Sequence, residues 1–379
     1  MFRIRALTPL LISSALLVAC GGGGGSGGGG ERTGVFKDSN VIGIDYRTSS
    51  GMTGTTNERG EFRYRKNDVV TFRVGNVEIG SAPGAAVVLP VDMVEAGISI
   101  EPGVTGRVRF MLMLDEDGDP DNGISISEEV RTLAMDWTQP EFASGNLAGD
   151  IADIISDVAS VHPGASLPSA AVAIDHLQGT IRCVRAGAYQ GTYQGSDRGT
   201  FGFLVDALSG GVSGVAFSDI DGGEYILSAF NNIEYSQESA FVSRTSSDVF
   251  FNGRFPDANS VSGGWAADGS TGGSFSGRRI GGLSNADFRF TGAFTGDDEG
   301  LFSFDVSESG MVQGVGYSIL EDELVTLSGS VTGTTLSATY SEGNISGTLN
   351  RDTGALNGTW QNTVFGISGT FSGSGCRLN

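Results

Sequence analysis

The C-terminal half of this chain is written twice, and a duplication of that length leaves few folds open. Gly195-Ser-Asp-Arg-Gly-Thr-Phe201-Gly-Phe203-Leu-Val205 returns as Gly296-Asp-Asp-Glu-Gly-Leu-Phe302-Ser-Phe304-Asp-Val306, 101 positions later. Gly263-Gly-Trp265 returns as Gly358-Thr-Trp360. Gly273-Ser-Phe275-Ser-Gly277 returns as Gly369-Thr-Phe371-Ser-Gly373 at an offset of 96, so the first copy carries about five extra residues, placed near Asn231 to Ser247. In each copy Phe-x-Phe-x-Val sets three apolar side chains on one face of a strand. Short strands recur every 8–12 residues or so between Gly, Asp, Asn and Ser turns, which predicts an antiparallel meander or barrel. The paired tryptophans and phenylalanines read as core.

The other end of the chain constrains location. Met1-Phe-Arg-Ile-Arg5 is a short basic start, and Ala6 to Ala19 is apolar apart from Thr8, Pro9, Ser13 and Ser14. A helix spanning a bilayer needs about 20 apolar residues, so this run is too short. It ends in Leu17-Val18-Ala19-Cys20 and passes at once into the glycine run Gly21 to Gly30. The Leu-x-Ala-Cys ending resembles the lipobox of bacterial lipoproteins. That resemblance implies a diacylglyceryl group on the Cys20 thiol, removal of residues 1–19 and acylation of the new amino terminus. The lipid bilayer is then a partner through the acyl anchor, and Gly21, in place of the Asp that retains such proteins in the inner membrane, implies the outer membrane, with the face left open. Ten residues of flexible coil span about 16–19 Å, enough to lift the cargo off the bilayer. The Gly24-Gly-Ser-Gly-Gly28 match to a hydrolase elbow lacks its flanking strand and helix and means nothing.

Losing Arg3 and Arg5 with the signal takes the formal net charge from −21 to −23. Such a chain is repelled by nucleic acid, which is excluded as a partner.

Residues 34–98 read as a small β unit. Val41 to Thr48 and Asp68 to Gly75 are predicted strands, and in Glu61-Phe-Arg-Tyr-Arg65 the alternation points Phe62 and Tyr64 inward. Gly54-x-Thr56-x-x-x-Gly60-x-Phe62-x-Tyr64 resembles the prealbumin-like modules of secreted bacterial proteins, which implies a β-sandwich serving as spacer or adhesive stalk.

An acidic turn follows between two predicted helices, Val104 to Leu112, started near Pro102, and Glu128 to Trp137. Asp115, Glu116, Asp117, Asp119 and Asp121 crowd seven positions and repel one another without a cation. The stretch resembles an EF-hand loop, which implies a structural Ca²⁺. Starting the loop at Asp115 leaves Ile126 at the twelfth position, where it cannot ligate. Starting at Asp117 supplies Asp117, Asp119, Asp121, the Gly123 carbonyl, Ser125 through water and Glu128, with Asn122 where the family has Gly. Ser125-x-x-Glu128 can also be a capping box for the second helix, but capping needs none of the aspartates.

Two further helices are expected, Asn146 to Val161, and Ser169 to Cys183 burying Ala170, Val172, Ile174, Leu177 and Ile181. His176 reads as a packing residue beside that stripe and His162 as a loop residue facing water, so neither forms a catalytic dyad. With Cys20 assigned to lipid, Cys183 and Cys376 remain. In an exported protein they are expected to pair as a disulfide. Their pairing joins the two ends of the duplicated region, which predicts one compact, closed β-domain rather than two beads in line. Phe-Ser-Gly and Gly-x-Trp strands resemble the barrels of transferrin-binding-protein-type surface lipoproteins, which implies a protein ligand.

The fold class is thus mainly β: a signal (1–19), a lipidated cysteine and tether (20–33), a small β unit (34–98), a helical segment with the acidic turn (99–183) and the duplicated β-domain (184–379, copies at about 186–280 and 285–376). The expected function is a non-catalytic binding or adhesion lipoprotein of the envelope with a protein or glycan ligand. The alternatives are a structural envelope component, a small-ligand carrier or a carboxylate-based glycosidase. A large apolar cavity within a barrel favours carriage; a cleft with two suitably spaced carboxylates favours the glycosidase.

Overall fold

A computed structural model describes residues 30–95, 97–267, 272–319 and 323–378. The signal, the Leu17–Cys20 ending and Gly21 to Gly29 lie outside the described residues.

The first unit is two facing sheets. One has the order Thr53–Thr55, Asp45–Thr48, Val69–Val74, Val77–Pro83; the other has Glu61–Tyr64, Arg32–Phe36, Val87–Val88. They meet across aromatic rings, with Phe36 stacked on Phe72 at 4.5 Å and Phe62 edge-on to Phe72 at 5.2 Å. Phe62 and Tyr64 are buried and Arg63 is exposed, as the alternation requires. The single strand expected over Val41 to Thr48 is broken in two. Gly43 has φ +77° there, and a Cβ on it would sit 2.3 Å from the Ile126 carbonyl. Val41–Ile42 turns away to pair in parallel with Ile124–Ser125, the exit of the acidic turn.

Five helices follow: α1 Pro102–Met113, α2 Glu128–Leu133, α3 Leu147–Asp150, α4 Ala152–Val161 and α5 Ala170–Arg185. Helix α1 is buried nearly all round and packs on α5. Its arginines reach neighbouring carbonyls: Arg107 donates to Ile79 and Arg109 to Pro168, both at 2.6 Å. Helix α2 is shorter than expected and is capped by Ser127, whose Oγ accepts the Val130 N–H at 3.3 Å. Ser125 is held in the strand pair instead, so the capping box drawn from Ser125 to Glu128 does not form. Helix α5 buries Ala173, Leu177, Ile181 and Val184, while Val172 is 56% exposed. The stripe is rotated from the expected one because α1 selects the i, i+4, i+8 face.

The duplicated region is two closed barrels of eight sequential antiparallel strands each, Gly187–Gly195 through Gly273–Ile280 and Ala286–Gly296 through Ile367–Arg377. Each copy closes on itself: Tyr193 lies opposite Phe275 in the first, and Phe294 opposite Phe371 in the second. Eight strands give an interior that side chains can just fill. Phe201, Phe203 and Val205 point inward, as do Phe302, Phe304 and Val306. Gly253 shows why glycine is needed inside: a Cβ there would lie 2.3 Å from the Phe241 ring.

Cys183 and Cys376 form a disulfide with Cα atoms 5.7 Å apart. The expectation that pairing makes one closed domain is nevertheless wrong. Barrel closure already brings the last strand of the second copy beside its first, so the bridge need only tie α5 to that seam. The extra residues of the first copy are the loop 232–240, where the second copy turns through Gly333 and Thr334 alone. This loop docks the barrel on the N-terminal unit: Ser99 N–H donates to the Tyr235 carbonyl at 2.8 Å, and Gln237 Nε2 donates to Val91 at 2.9 Å and Val94 at 2.8 Å.

Candidate ligand cavity in the second barrel

The two copies share a ladder, so inward positions can be matched by their partners across it. Phe251 faces Trp265 in the first copy, and Ile345 faces Trp360 in the second. Tyr225 faces Ala216, and Val325 faces Gly316. Phe241 faces Gly253, and Leu336 faces Gly347. Phe255 likewise becomes Leu349, so four rings of the first barrel are aliphatic in the second, against two gained, Tyr340 in place of Thr245 and Phe288 in place of Gly187. In the first barrel the rings interlock, Tyr193 edge-on to Trp265 at 5.6 Å and Phe203 edge-on to Phe251 at 5.8 Å. At that end only about 210 Å³ stays open; at the same end of the second barrel the cavity is about 370 Å³.

The walls of the larger cavity are Phe294, Phe302, Val325, Leu327, Ile345, Trp360 and Phe371. Trp360 is held in place by its indole N–H, which donates to the Thr295 carbonyl at 3.2 Å. The turn over the mouth exposes Val364 and Phe365, 65% and 64% accessible. Asp298, Glu323 and Glu342 also line the cavity, and among the described residues no Lys, Arg or His does. Asp298 is buried and accepts the Glu299 N–H at 2.7 Å and the Ser318 hydroxyl at 3.0 Å on Oδ1. Glu342 accepts from Asn362 Nδ2 at 2.8 Å. Burial, reinforced by Glu342 and Asp298, pushes the Tyr340 phenol above its ordinary range and keeps it protonated. Of the cavity lining, Phe302, Trp360 and Phe371 read as core from the sequence, which draws nothing from Phe294, Val325, Ile345 or the three carboxylates; aligning the two copies ring by ring marks the exchanges among them.

The expected site residues lie as follows. Cys20 is outside the described residues. In the acidic turn, Asp117 Oδ1 accepts the Asp119 N–H at 2.9 Å and Oδ2 accepts from Asn122 at 2.8 Å, while Asp119 Oδ1 accepts the Asp121 N–H at 3.2 Å. Gly123, with φ +114°, leads into the strand holding Ser125, and Glu128 is exposed on the first turn of α2. Asp115 is drawn in instead: 4% exposed, it accepts the Ser125 N–H on Oδ1 at 2.8 Å, and its buried Oδ2 has no partner. Burial, with Asp117 and Asp119 nearby, pushes its carboxyl up to about 6. As placed, no three Asp, Glu, His or Cys side chains among the described residues converge as a metal site.

The histidines are less idle than expected. His162 Nε2 is 3.0 Å from the Ser127 hydroxyl, not turned to water. His176 Nε2 lies 3.2 Å from the carbonyl of Asp38 and 3.5 Å from its carboxylate. The two are 138 positions apart, a juxtaposition with no local signal.

No family of known proteins matches this chain, and neither does any curated protein. Among solved structures it is similar to a protein of unknown function from the DUF3598 family of Nostoc punctiforme, at 9% identity over 53% of this chain and 98% of that one, with a TM-score of 0.14. A likeness at that score carries no argument.

Proposed function

We propose that this protein is a lipid-anchored envelope lipoprotein that binds a small, largely apolar molecule inside its second barrel. One observation carries the reading: at matched inward positions Tyr225 and Phe251 of the first barrel become Val325 and Ile345, and a cavity of about 370 Å³ opens there. Ligand pockets of this kind are concave, mostly apolar and carry a few polar groups. The anchor is inferred from Leu17 to Cys20 and the tether that follows; Cys20→Ser is expected to release soluble protein from membranes. The test of binding is to refill the cavity. N-phenyl-1-naphthylamine, an uncharged apolar fluorophore, is expected to bind the wild type saturably at one site, and Val325→Tyr/Ile345→Phe to abolish that binding with the thermal midpoint retained. Unchanged binding in the folded double variant would overturn the reading.

The acidic turn is proposed to hold a structural Ca²⁺, with Asp115 as its inner ligand beside Asp117 and Asp119. The support is the buried, partnerless Oδ2 of Asp115; leaving such an oxygen unsatisfied costs about 1–3 kcal/mol or more. A hard dication satisfied by oxygen ligands removes that cost.

A further inference from the structure

The cavity's chemistry narrows its occupant, on the reading that it binds an apolar molecule at all. In the first barrel Asp197 is satisfied on both oxygens: Ser218 donates to Oδ1 at 3.0 Å and the Tyr193 hydroxyl to Oδ2 at 3.1 Å. The second barrel repeats this turn. Asp298 stands at the matching position and Ser318 donates to its Oδ1 at 3.0 Å. But the residue matching Tyr193 is Phe294, which faces Gly300 and Phe371 as Tyr193 faces Gly199 and Phe275. Phenylalanine has no hydroxyl, so the donor that the first copy offers to the second carboxylate oxygen is missing. Asp298 is only 9% exposed, and it lines the cavity together with the rings of Phe294 and Trp360. Glu323 and Glu342 add two more carboxylates to the lining, and no basic side chain among the described residues lines the cavity.

We infer that the second barrel selects a hydrophobic ammonium: an apolar body in the aromatic cavity, with a protonated amine donating to Asp298. Two features recognise the same charge. The carboxylate supplies a charge-assisted hydrogen bond, and the Phe294 and Trp360 faces favour a cation placed against them. An anionic amphiphile would meet three carboxylates and no counter-ion. The first barrel, with Tyr193 occupying the equivalent oxygen and its rings narrowing the space to about 210 Å³, has no such selectivity.

The test compares decylammonium, decan-1-ol and decanoate by calorimetry below their aggregation thresholds, using the folded protein without its signal. Decylammonium is expected to bind at least about tenfold more tightly than decanol, a ratio equivalent to ~1.4 kcal/mol, and decanoate more weakly than either. Asp298→Asn, which keeps the size of the side chain, is expected to bring decylammonium down to the decanol affinity while decanol itself is unchanged. Glu299→Gln removes an equal charge from the exposed neighbouring position and is expected to leave the preference intact, which separates a specific counter-ion from the attraction of a strongly acidic protein. Equal binding of decylammonium and decanol, or a preference that survives Asp298→Asn or is lost equally with Glu299→Gln, overturns the ammonium inference while leaving the apolar cavity standing. Failure of all three probes to bind overturns the cavity reading with it.

Discussion

Asp38 is the residue at greatest electrostatic odds with its surroundings. It is wholly buried, neither carboxylate oxygen has a hydrogen-bond partner, and its nearest cationic candidate is His176 at 3.5 Å. Burial pushes its carboxyl from 3.8 up to about 6, against the pull of His176. The preceding Lys37, buried and bonded to Asn40, is pushed down to about 7, mainly by the same desolvation. A carboxyl whose folded value is raised holds its proton where the unfolded chain has lost it. Stability from this group is therefore greatest below about pH 4 and falls as pH rises towards 6. Asp38→Asn is expected to change stability little at pH 4 and to gain on the order of 3 kcal/mol over the parent by pH 7. Chemical denaturation of both proteins at the two pH values checks this. A difference that stays flat would mean that His176 carries enough positive charge to keep Asp38 ionised at no cost.

Among the elements, the acidic turn couples two layers that the chain itself does not join. Its exit strand, Ile124–Ser125, pairs with Val41–Ile42, and Ser127 at its end caps α2 and meets His162 beyond α4. A cation held on Asp115 would fix this junction. The thermal midpoint is expected to fall when EGTA replaces calcium, and Asp115→Asn to abolish the difference. A hundredfold excess of calcium over Kd would correspond to about 2.7 kcal/mol. A midpoint indifferent to EGTA in the wild type would remove calcium from the account. Glu128→Gln then reads the register: a calcium response that persists leaves Glu128 outside the ligand set, and one that is lost brings it in.

At the scale of the whole molecule, the disulfide holds together parts that close without it. The second barrel is sealed by nine paired positions between its first and last strands, Phe288 to Gly296 against Gly369 to Arg377. It touches the first barrel through Ala207 N–H donating to the Thr291 hydroxyl at 2.8 Å and through the buried Arg289–Asp305 pair at 2.7 Å, whose guanidinium also reaches the Ala186 carbonyl. A protease site inserted between Ser284 and Asn285, in the short connection between barrels, gives a direct test. The nicked protein is expected to migrate as one species without reductant and as two with it, the released second barrel retaining its β-sheet circular dichroism. Loss of sheet signal on reduction would show that the bridge closes the barrel rather than tethering it.

What could be read from the sequence was whatever repeats at short range. Alternation in Glu61 to Tyr64, the Phe-x-Phe-x-Val strands, the copy-to-copy offset and Pro102 at the start of α1 are local patterns imposed by backbone geometry, and they sufficed for a mainly β chain with a duplicated barrel-like region. The Cys183–Cys376 bridge followed from counting thiols. Only tertiary structure decided that each copy closes on itself, because closure depends on hydrogen bonds between strands some eighty residues apart, Tyr193 with Phe275 and Phe294 with Phe371. It likewise decided which face of α5 is buried, since the helix carries two apolar stripes and α1 covers one. The pairing of Asp38 with His176 has no local signature. The exchange of Tyr193 for Phe294 is legible between the copies, but only the fold shows that the lost hydroxyl had met the carboxylate. Such contacts arise because folding sets distant residues side by side in a medium where an unpaired charge is costly.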